Sequence, residues 1–110
     1  GENRLSSFTY NSGTGQLTGE TVLRTFGTVD GTQNNGPNHD GGPIRFGPDG
    51  RIYGATGDLN RARGEQNNVG GAALSANAGG IYRLNTDGSI PGDNPFATAA
   101  EPGHRPWYAY

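Results

Sequence analysis

The chain has 110 residues, enough for one small domain; 30% of them are hydrophobic and 21 are glycine. It contains no cysteine, and its formal net charge is −2, with arginine as the basic residue throughout. These values exclude disulfides and thiolate metal sites and argue against a nucleic-acid or membrane partner. The apolar residues cluster in short alternating runs, which favours a glycine-rich all-β protein with tight turns over a disordered chain.

The first predicted element is a β-hairpin within residues 1–26. β-prone side chains at Leu5, Phe8 and Tyr10 precede the polar run 11–15, which is typical of a turn, and a second β-prone run ends at Phe26. We interpret this hairpin as the outer pair of strands of one sheet module.

A second predicted hairpin follows a long polar loop. Residues 27–42 are rich in Gly, Asn and Asp, and a loop of this length in a compact domain is often functional. The alternating runs 43–46 and 51–56 flank Gly47-Pro48-Asp49-Gly50, a strong turn signal.

One histidine and one carboxylate lie at opposite ends of this second hairpin. His39 precedes it and Asp58 follows it. Because the two ends of an antiparallel pair lie side by side, the sequence predicts a His–Asp pair, the core of a general-base site. Each residue also has a simpler interpretation, His39 as a solvated loop histidine and Asp58 as a turn residue.

The remaining elements are a loop, one strand and a connection. Residues 59–78 are predicted to be a polar insertion, in which Gln66 either lines a substrate pocket or belongs to a solvated loop. Residues 80–84 predict a strand whose partner begins at residues 89–90, after a turn at 85–88. Residues 91–106 are predicted to be an extended connection.

The aromatic run 107–110 is predicted to be a strand, with two interpretations. Its side chains either form a sugar-binding platform or, as is more common for an alternating aromatic strand, pack in a core. His104, just before it, is interpreted as a surface residue.

Two x-Asp-Gly turns, at Asp49-Gly50 and Asp87-Gly88, indicate a repeated four-stranded module of the kind found in β-propellers. The predicted division is an outer hairpin of one blade (1–26), an active-site loop (27–42), the next blade (43–90, with the 59–78 insertion), and a connection with the first strand of the following blade (91–110). The predicted fold is therefore all-β: about two blades of antiparallel four-stranded sheet, open as an isolated chain. Since closure takes roughly four to eight blades, we expect a segment of a longer protein.

Three ordered motifs carry a family resemblance. They are His39-x-Gly41-Gly42 leading into Phe-Gly-Pro-Asp-Gly-Arg-Ile-Tyr at 46–53, then Gly57-Asp58, and finally Gly-Ile-Tyr-Arg-Leu-Asn-x-Asp-Gly-Ser-Ile-Pro-x-Asp-Asn-Pro-Phe at 80–96. Together they resemble the soluble glucose/sorbosone (aldose) dehydrogenases that depend on pyrroloquinoline quinone (PQQ). The resemblance implies a six-bladed propeller that oxidises a sugar hydroxyl by hydride transfer to PQQ, with a further electron acceptor, in the periplasm or outside the cell.

The resemblance also assigns roles to residues. His39 is implied to be the general base and Asp58 to accept a hydrogen bond from its other ring nitrogen; Asn38 and His39 would contact the quinone, and Asp58 and Gln66 the sugar. Calcium ligands and a quinone-binding arginine are implied to lie beyond Tyr110, so the isolated chain is expected to be inactive. Asn38 departs from family members that carry an acidic residue there.

Two alternatives stay open at this point. One is a non-catalytic propeller that serves as a binding module, which Asn38 slightly favours because an amide offers the base no charge. The other is a structural role for the piece itself, in which open sheet edges associate into a ring or a filament.

Overall fold

The computed structural model describes residues 3–26, 41–57, 79–100 and 102–109. Within them, a two-stranded sheet contains β1 (Asn3–Asn11) and β2 (Gln16–Phe26), and a four-stranded sheet contains β3 (Ile44–Phe46), β4 (Ile52–Thr56), β5 (Gly80–Leu84) and β6 (Trp107–Ala109). All pairings are antiparallel, and the second sheet follows the order β3-β4-β5-β6. The predicted all-β, antiparallel architecture is confirmed. No described segment is a helix long and apolar enough to cross a membrane.

The β1–β2 turn forms because Asn11 satisfies the backbone of the residues after it. Its side-chain oxygen accepts hydrogen bonds from the amides of Gly13 and Thr14, at 2.9 and 3.2 Å, and its carbonyl accepts one from Gly15 at 2.8 Å. This is the Asx-type turn that favours Asn at such positions. The hairpin predicted within residues 1–26 is confirmed.

The two Asp-Gly turns share the same three hydrogen bonds. In each, the fourth residue is a glycine with positive φ, +73° at Gly50 and +84° at Gly88, and its amide donates to the carbonyl three residues earlier. In each turn the Asp side chain accepts a hydrogen bond from the amide two residues later. The amide of the first turn residue, Gly47 or Asn85, donates to the carbonyl of the residue after the turn. The repeat recognised in the sequence is therefore a repeat of backbone geometry.

The fourth strand of the sheet is not where the sequence predicted it. Residues 89–90 form no strand, and 91–106 fold into successive turns and a short 3₁₀ helix (Pro102–His104) rather than an extended connection. Strand β6 pairs with β5 in the same sheet, so it completes this sheet instead of starting another. Both backbone groups of Arg83 bond to this later segment instead of to residues 89–90: its amide donates to Pro106 O at 2.9 Å, and its carbonyl accepts from Asn94 Nδ2 at 2.9 Å.

The hydrophobic core joins the two sheets. It consists of Leu5 and Phe26 from the hairpin and four residues of the larger sheet, Ile52, Tyr82, Leu84 and Trp107. The rings of Phe26 and Tyr82 meet at a centroid distance of 4.7 Å. The burial of Trp107 confirms the core interpretation for that residue.

Aromatic rings lie directly over glycines of neighbouring strands. A Cβ at Gly54 would collide with the ring of Tyr82, and one at Gly80 would lie 2.9 Å from the ring of Trp107. Glycine in the middle of a strand usually weakens it, but here the missing side chain is the space that the ring fills. Part of the high glycine content therefore reflects packing as well as turns.

Candidate active site

Three chain segments meet at one end of the four-stranded sheet. The amide of Gly79 donates to the carbonyl of Gly57 at 2.8 Å, which joins the described residues on either side of 58–78. A Cβ on Gly41 would collide with the carbonyl oxygen of Ala55 and lie 2.7 Å from Cα of Thr56, so the backbone at Gly41 lies directly against the end of β4. The described chain therefore continues toward residue 40 and toward residue 58 from neighbouring positions.

The sequence-predicted site residues Asn38, His39, Asp58 and Gln66 lie outside the described residues. Asn38 and His39 belong to the predicted loop 27–42, Gln66 belongs to the predicted insertion 59–78, and Asp58 directly precedes that insertion. The described residues next to these segments are Gly41, Gly57 and Gly79, and the site itself stays a prediction.

Gly41, two residues after the candidate base His39, has a backbone conformation that a regular strand does not contain. In the β3–β4 ladder Ile44 pairs with Gly54, and the amide of Ala55 still donates to Pro43 O at 3.4 Å. Extended in the same register, in which each step back along β3 is one step forward along β4, an unbroken ladder would place position 40, not 39, opposite position 58. The φ of +91° at Gly41 ends that regular ladder.

A buried arginine organises the opposite end of the sheet. The guanidinium of Arg83 has a side-chain exposure of 7% and donates to Asp49 at 2.8 and 3.1 Å, to Asp93 at 2.9 and 3.1 Å, and to Asn94 Oδ1 at 3.1 Å. We call these four residues the Arg83 cluster. A planar guanidinium has the fork of donors that such simultaneous pairing requires, which a lysine lacks.

Two tyrosine rings enclose the same guanidinium. Its carbon lies 5.8 Å from the ring centroid of Tyr53 and 5.7 Å from that of Tyr108, within the range of cation–π attraction. The two rings meet edge to face at 5.5 Å. Tyr108 contacts the Arg83 cluster but is 44% exposed, so the prediction that it packs in a core is wrong for this residue. Tyr110 lies outside the described residues.

Charge pairing shifts the titration of the cluster. Hydrogen bonds from Arg83 lower the pKa of Asp49 from its ordinary 3.8 to about 2. The same guanidinium lowers the pKa of Asp93, and the two carboxylates raise the pKa of Arg83, with Asp93 as the larger cause. The cluster is fully ionised at neutral pH and acts as a structural ion network.

Sequence reasoning missed this network. From the sequence, Asp49 is interpreted only as a turn residue, and Asp93 and Asn94 only as part of a family motif. Two signals were available in the sequence. Asp49 and Asp93 are acidic residues within turn-rich motifs, and Arg83 is a charged residue in an otherwise apolar strand.

The Arg83 cluster predicts a specific loss of stability in acid. A carboxyl whose pKa is lower in the folded than in the unfolded state stabilises the fold above pH 3.8, and this contribution is lost as the pH falls through about 2. Asp49→Asn is therefore expected to lower stability at pH 7 and to flatten its decline between about pH 4 and pH 2. Urea unfolding at several pH values measures this.

The matched control for this prediction is Glu20→Gln. Glu20 is an exposed carboxylate that accepts a hydrogen bond from Ser6 at 2.8 Å on the β1–β2 hairpin, away from Arg83. Glu20→Gln should leave the steep decline of stability with falling pH in place. Parallel pH profiles for Asp49→Asn and the unmodified protein would contradict the prediction.

His104 is buried, so its interpretation as a surface residue is wrong. Its side chain is 7% exposed and meets the ring of Phe96 edge to face at 6.3 Å. The residue ends the short 3₁₀ helix that precedes β6. In the parts of the chain that the structure describes, no group of three or more His, Asp or Glu side chains is arranged to hold a metal.

Solved structures of similar fold are dehydrogenases. An oxidoreductase described as a glucose dehydrogenase, from Thermus thermophilus, is 26% identical, with a TM-score of 0.70 over 99% of this chain and 28% of its own. Two further structures described as glucose dehydrogenase are 24% and 22% identical, with TM-scores of 0.69 and 0.68, each over 94% of this chain. The chain spans 28% and 26% of their lengths. The search of curated proteins gives no match.

The family comparison covers almost the entire chain. The model of the glucose/sorbosone dehydrogenase family matches residues 2–109, a range that includes both sheets and the end of the sheet where the three segments meet. Together with the antiparallel four-stranded sheet, this match identifies a β-propeller segment of an oxidoreductase family. The chain belongs to the glucose/sorbosone dehydrogenase family.

Proposed function

We propose that this chain is the segment of a quinoprotein that carries the catalytic base for oxidation of an aldose hydroxyl. His39 is the base, Asp58 orients it, and PQQ, when bound, supplies the acceptor for the hydride. The substrate class follows from the family and from neighbours that are described as glucose dehydrogenases.

The observation that carries the proposal is the contact of Gly41 with the end of β4. His39 is two residues from Gly41, and Asp58 is two residues from Thr56. Because each residue spans at most about 3.6 Å, positions 39 and 58 can each lie only a short distance from the point where Gly41 contacts β4. A regular ladder would put positions 39 and 58 on opposite sides of the sheet, and the positive φ at Gly41 is compatible with our proposal that the two side chains meet instead.

The chemistry assigned to His39 requires a neutral imidazole. One ring nitrogen accepts the proton of the sugar's anomeric hydroxyl while the other donates to Asp58, which holds the tautomer and stabilises the imidazolium as it forms. Asp58 and Gln66 offer hydrogen-bond acceptors and a donor to the remaining sugar hydroxyls.

The donors available in this chain fit the neutral part of the quinone. The amide of Asn38 and the neutral form of the His39 imidazole are hydrogen-bonding groups suited to quinone carbonyl oxygens. The absent side chain at Gly41 lets its own backbone lie directly against the end of β4. Among the described carboxylates, Asp49 and Asp93 are bound to Arg83, so they offer no calcium site. Cationic and calcium contacts for the quinone's carboxylates would come from other segments.

Titration of the full-length protein with PQQ and calcium tests the proposal. Saturable binding, followed by the quinone absorbance, and reduction of that absorbance on adding an aldose would support it. Absence of any binding would overturn it.

A non-catalytic binding module is the second candidate, and one residue favours it. Asn38 replaces an acidic neighbour of the base, so any electrostatic assistance from that position is absent. This candidate predicts sugar binding without quinone binding, whereas the dehydrogenase needs both.

A further inference from the structure

The two Asp-Gly turns carry a backbone sequence that can react with itself. In an Asp-Gly pair the glycine amide nitrogen can attack Cγ of the aspartate, because glycine has no side chain that shields its nitrogen. The new N–Cγ bond closes a five-membered succinimide, and one carboxyl oxygen leaves as water with the amide proton and the carboxyl proton. A water molecule then opens the ring at the former main-chain carbonyl. The chain thereafter continues through the aspartate side chain, as isoaspartate, with no net change in mass.

The carboxylate of Asp49 is held by donors from outside its own turn. Oδ2 accepts from the guanidinium of Arg83 at 2.8 and 3.1 Å and from the hydroxyl of Tyr53 at 3.0 Å. For Gly50 to attack, the carboxylate must turn away from these donors, and the buried Arg83 would lose a charge-assisted partner. The pKa of Asp49, which Arg83 lowers to about 2, acts in the same direction, because the protonated carboxyl is the form that releases water.

The equivalent carboxylate in the other turn, Asp87, is exposed and bonds to a neighbouring residue. Its Oδ1 accepts from the amide of Ser89 at 2.9 Å and from the Ser89 hydroxyl at 2.6 Å. In the part of the chain that the structure describes, no arginine pairs with it. Solvent water can replace both Ser89 donors when the carboxylate turns toward Gly88. The barrier to ring closure is therefore lower at Asp87 than at Asp49, although the two turns have the same backbone hydrogen bonds.

We propose that Asp87-Gly88 is a site of spontaneous isoaspartate formation in this protein, and that Arg83 and Tyr53 protect the equivalent pair Asp49-Gly50. The modification consumes and returns one water molecule and needs no other reactant. It involves none of the residues assigned to sugar oxidation, so it holds or fails independently of the proposed function.

Isoaspartate at position 87 would disturb the contact between the hairpin and the four-stranded sheet. A Cβ on Gly88 would collide with the backbone carbonyl of Leu23, so the backbone of this turn lies directly against β2. An isoaspartyl linkage adds one methylene group to the main chain at this point of close contact. We therefore expect protein that has isomerised at Asp87 to unfold at a lower urea concentration than fresh protein.

Peptide mapping of the full-length protein after prolonged incubation at neutral pH tests the proposal. Methyl transfer by an isoaspartyl methyltransferase quantifies isoaspartate in each peptide, and it resolves these two pairs from those at 30–31, 35–36 and 40–41. In the folded protein Asp49 is expected to react about tenfold or more slowly than Asp87, the rate equivalent of one charge-assisted hydrogen bond. In urea the two rates should be similar, since glycine follows each aspartate. Equal rates in the folded protein, or a faster rate at Asp49, would overturn the proposal.

Three single variants test which contacts set the two rates. Tyr53→Phe removes one donor from Asp49 and retains the ion pair, and it is expected to raise the rate at Asp49 about threefold to tenfold without changing Asp87. Ser89→Ala should raise the rate at Asp87 alone. Thr86→Ala, at an exposed position in the same turn, is the matched control and should change neither rate. An unchanged rate at Asp49 in Tyr53→Phe, or equal effects of Thr86→Ala and Ser89→Ala on Asp87, would contradict the proposal.

Discussion

Replacing His39 by alanine is expected to lower kcat/KM for aldose oxidation by a factor of about 10²–10⁴, the usual contribution of a positioned general base. The imidazole would be the group that removes the hydroxyl proton, and no other histidine lies near it in sequence. Quinone binding should persist, because the base is only one of its contacts. Steady-state kinetics of the PQQ-loaded protein, with quinone binding followed by absorbance, measures both.

Asp58→Asn is the companion variant that distinguishes orientation from simple charge. It is expected to reduce kcat/KM less than His39→Ala and to move the acidic limb of the pH–rate profile to lower pH. The reason is that a neighbouring carboxylate favours the protonated imidazole, which is the inactive form of the base. An unchanged limb in Asp58→Asn, or full activity in His39→Ala, would contradict the assignment.

Replacing Gly41 by alanine is expected to destabilise the protein by about 3 kcal/mol and to remove most of its activity. Two costs add: a positive φ of +91°, which disfavours any residue with a Cβ, and a collision of that Cβ with the backbone of Ala55. The backbone at Gly41 must then move away from β4, and we expect the preceding residues, His39 included, to shift with it. Urea unfolding and kcat/KM measured on the same preparation check both effects.

Two other glycines separate these costs. Gly50→Ala has a similar φ of +73° but open space around the new Cβ, so it measures the conformational cost alone, roughly 1–2 kcal/mol. Gly42→Ala has neither problem and should be close to neutral. If Gly41→Ala costs no more than Gly50→Ala, the close approach of the loop to β4 is not a constraint.

The local elements of this fold were predictable because short-range chemistry determines them. Asn11 bonds the amides of its own turn, and Gly50 and Gly88 supply the positive φ that each Asp-Gly turn needs, so strands β1 to β5 followed from the sequence. The ordered motifs around His39 and Asp58 also indicated the family correctly. The roles of these two residues stay predictions.

The tertiary structure decided what depends on contacts distant in sequence. The partner of β5 is β6 rather than residues 89–90. The backbone carbonyl and amide of Arg83 bond to Asn94 and Pro106, which are 11 and 23 positions further along the chain. Asp49, 34 positions before Arg83, is an ion-pair partner as well as a turn residue. Periodicity and turn signals report interactions over a few residues, whereas the choice among distant partners depends on which groups folding brings within hydrogen-bond distance. The sequence by itself therefore determined the strands and turns. The three-dimensional packing determined how those elements are joined.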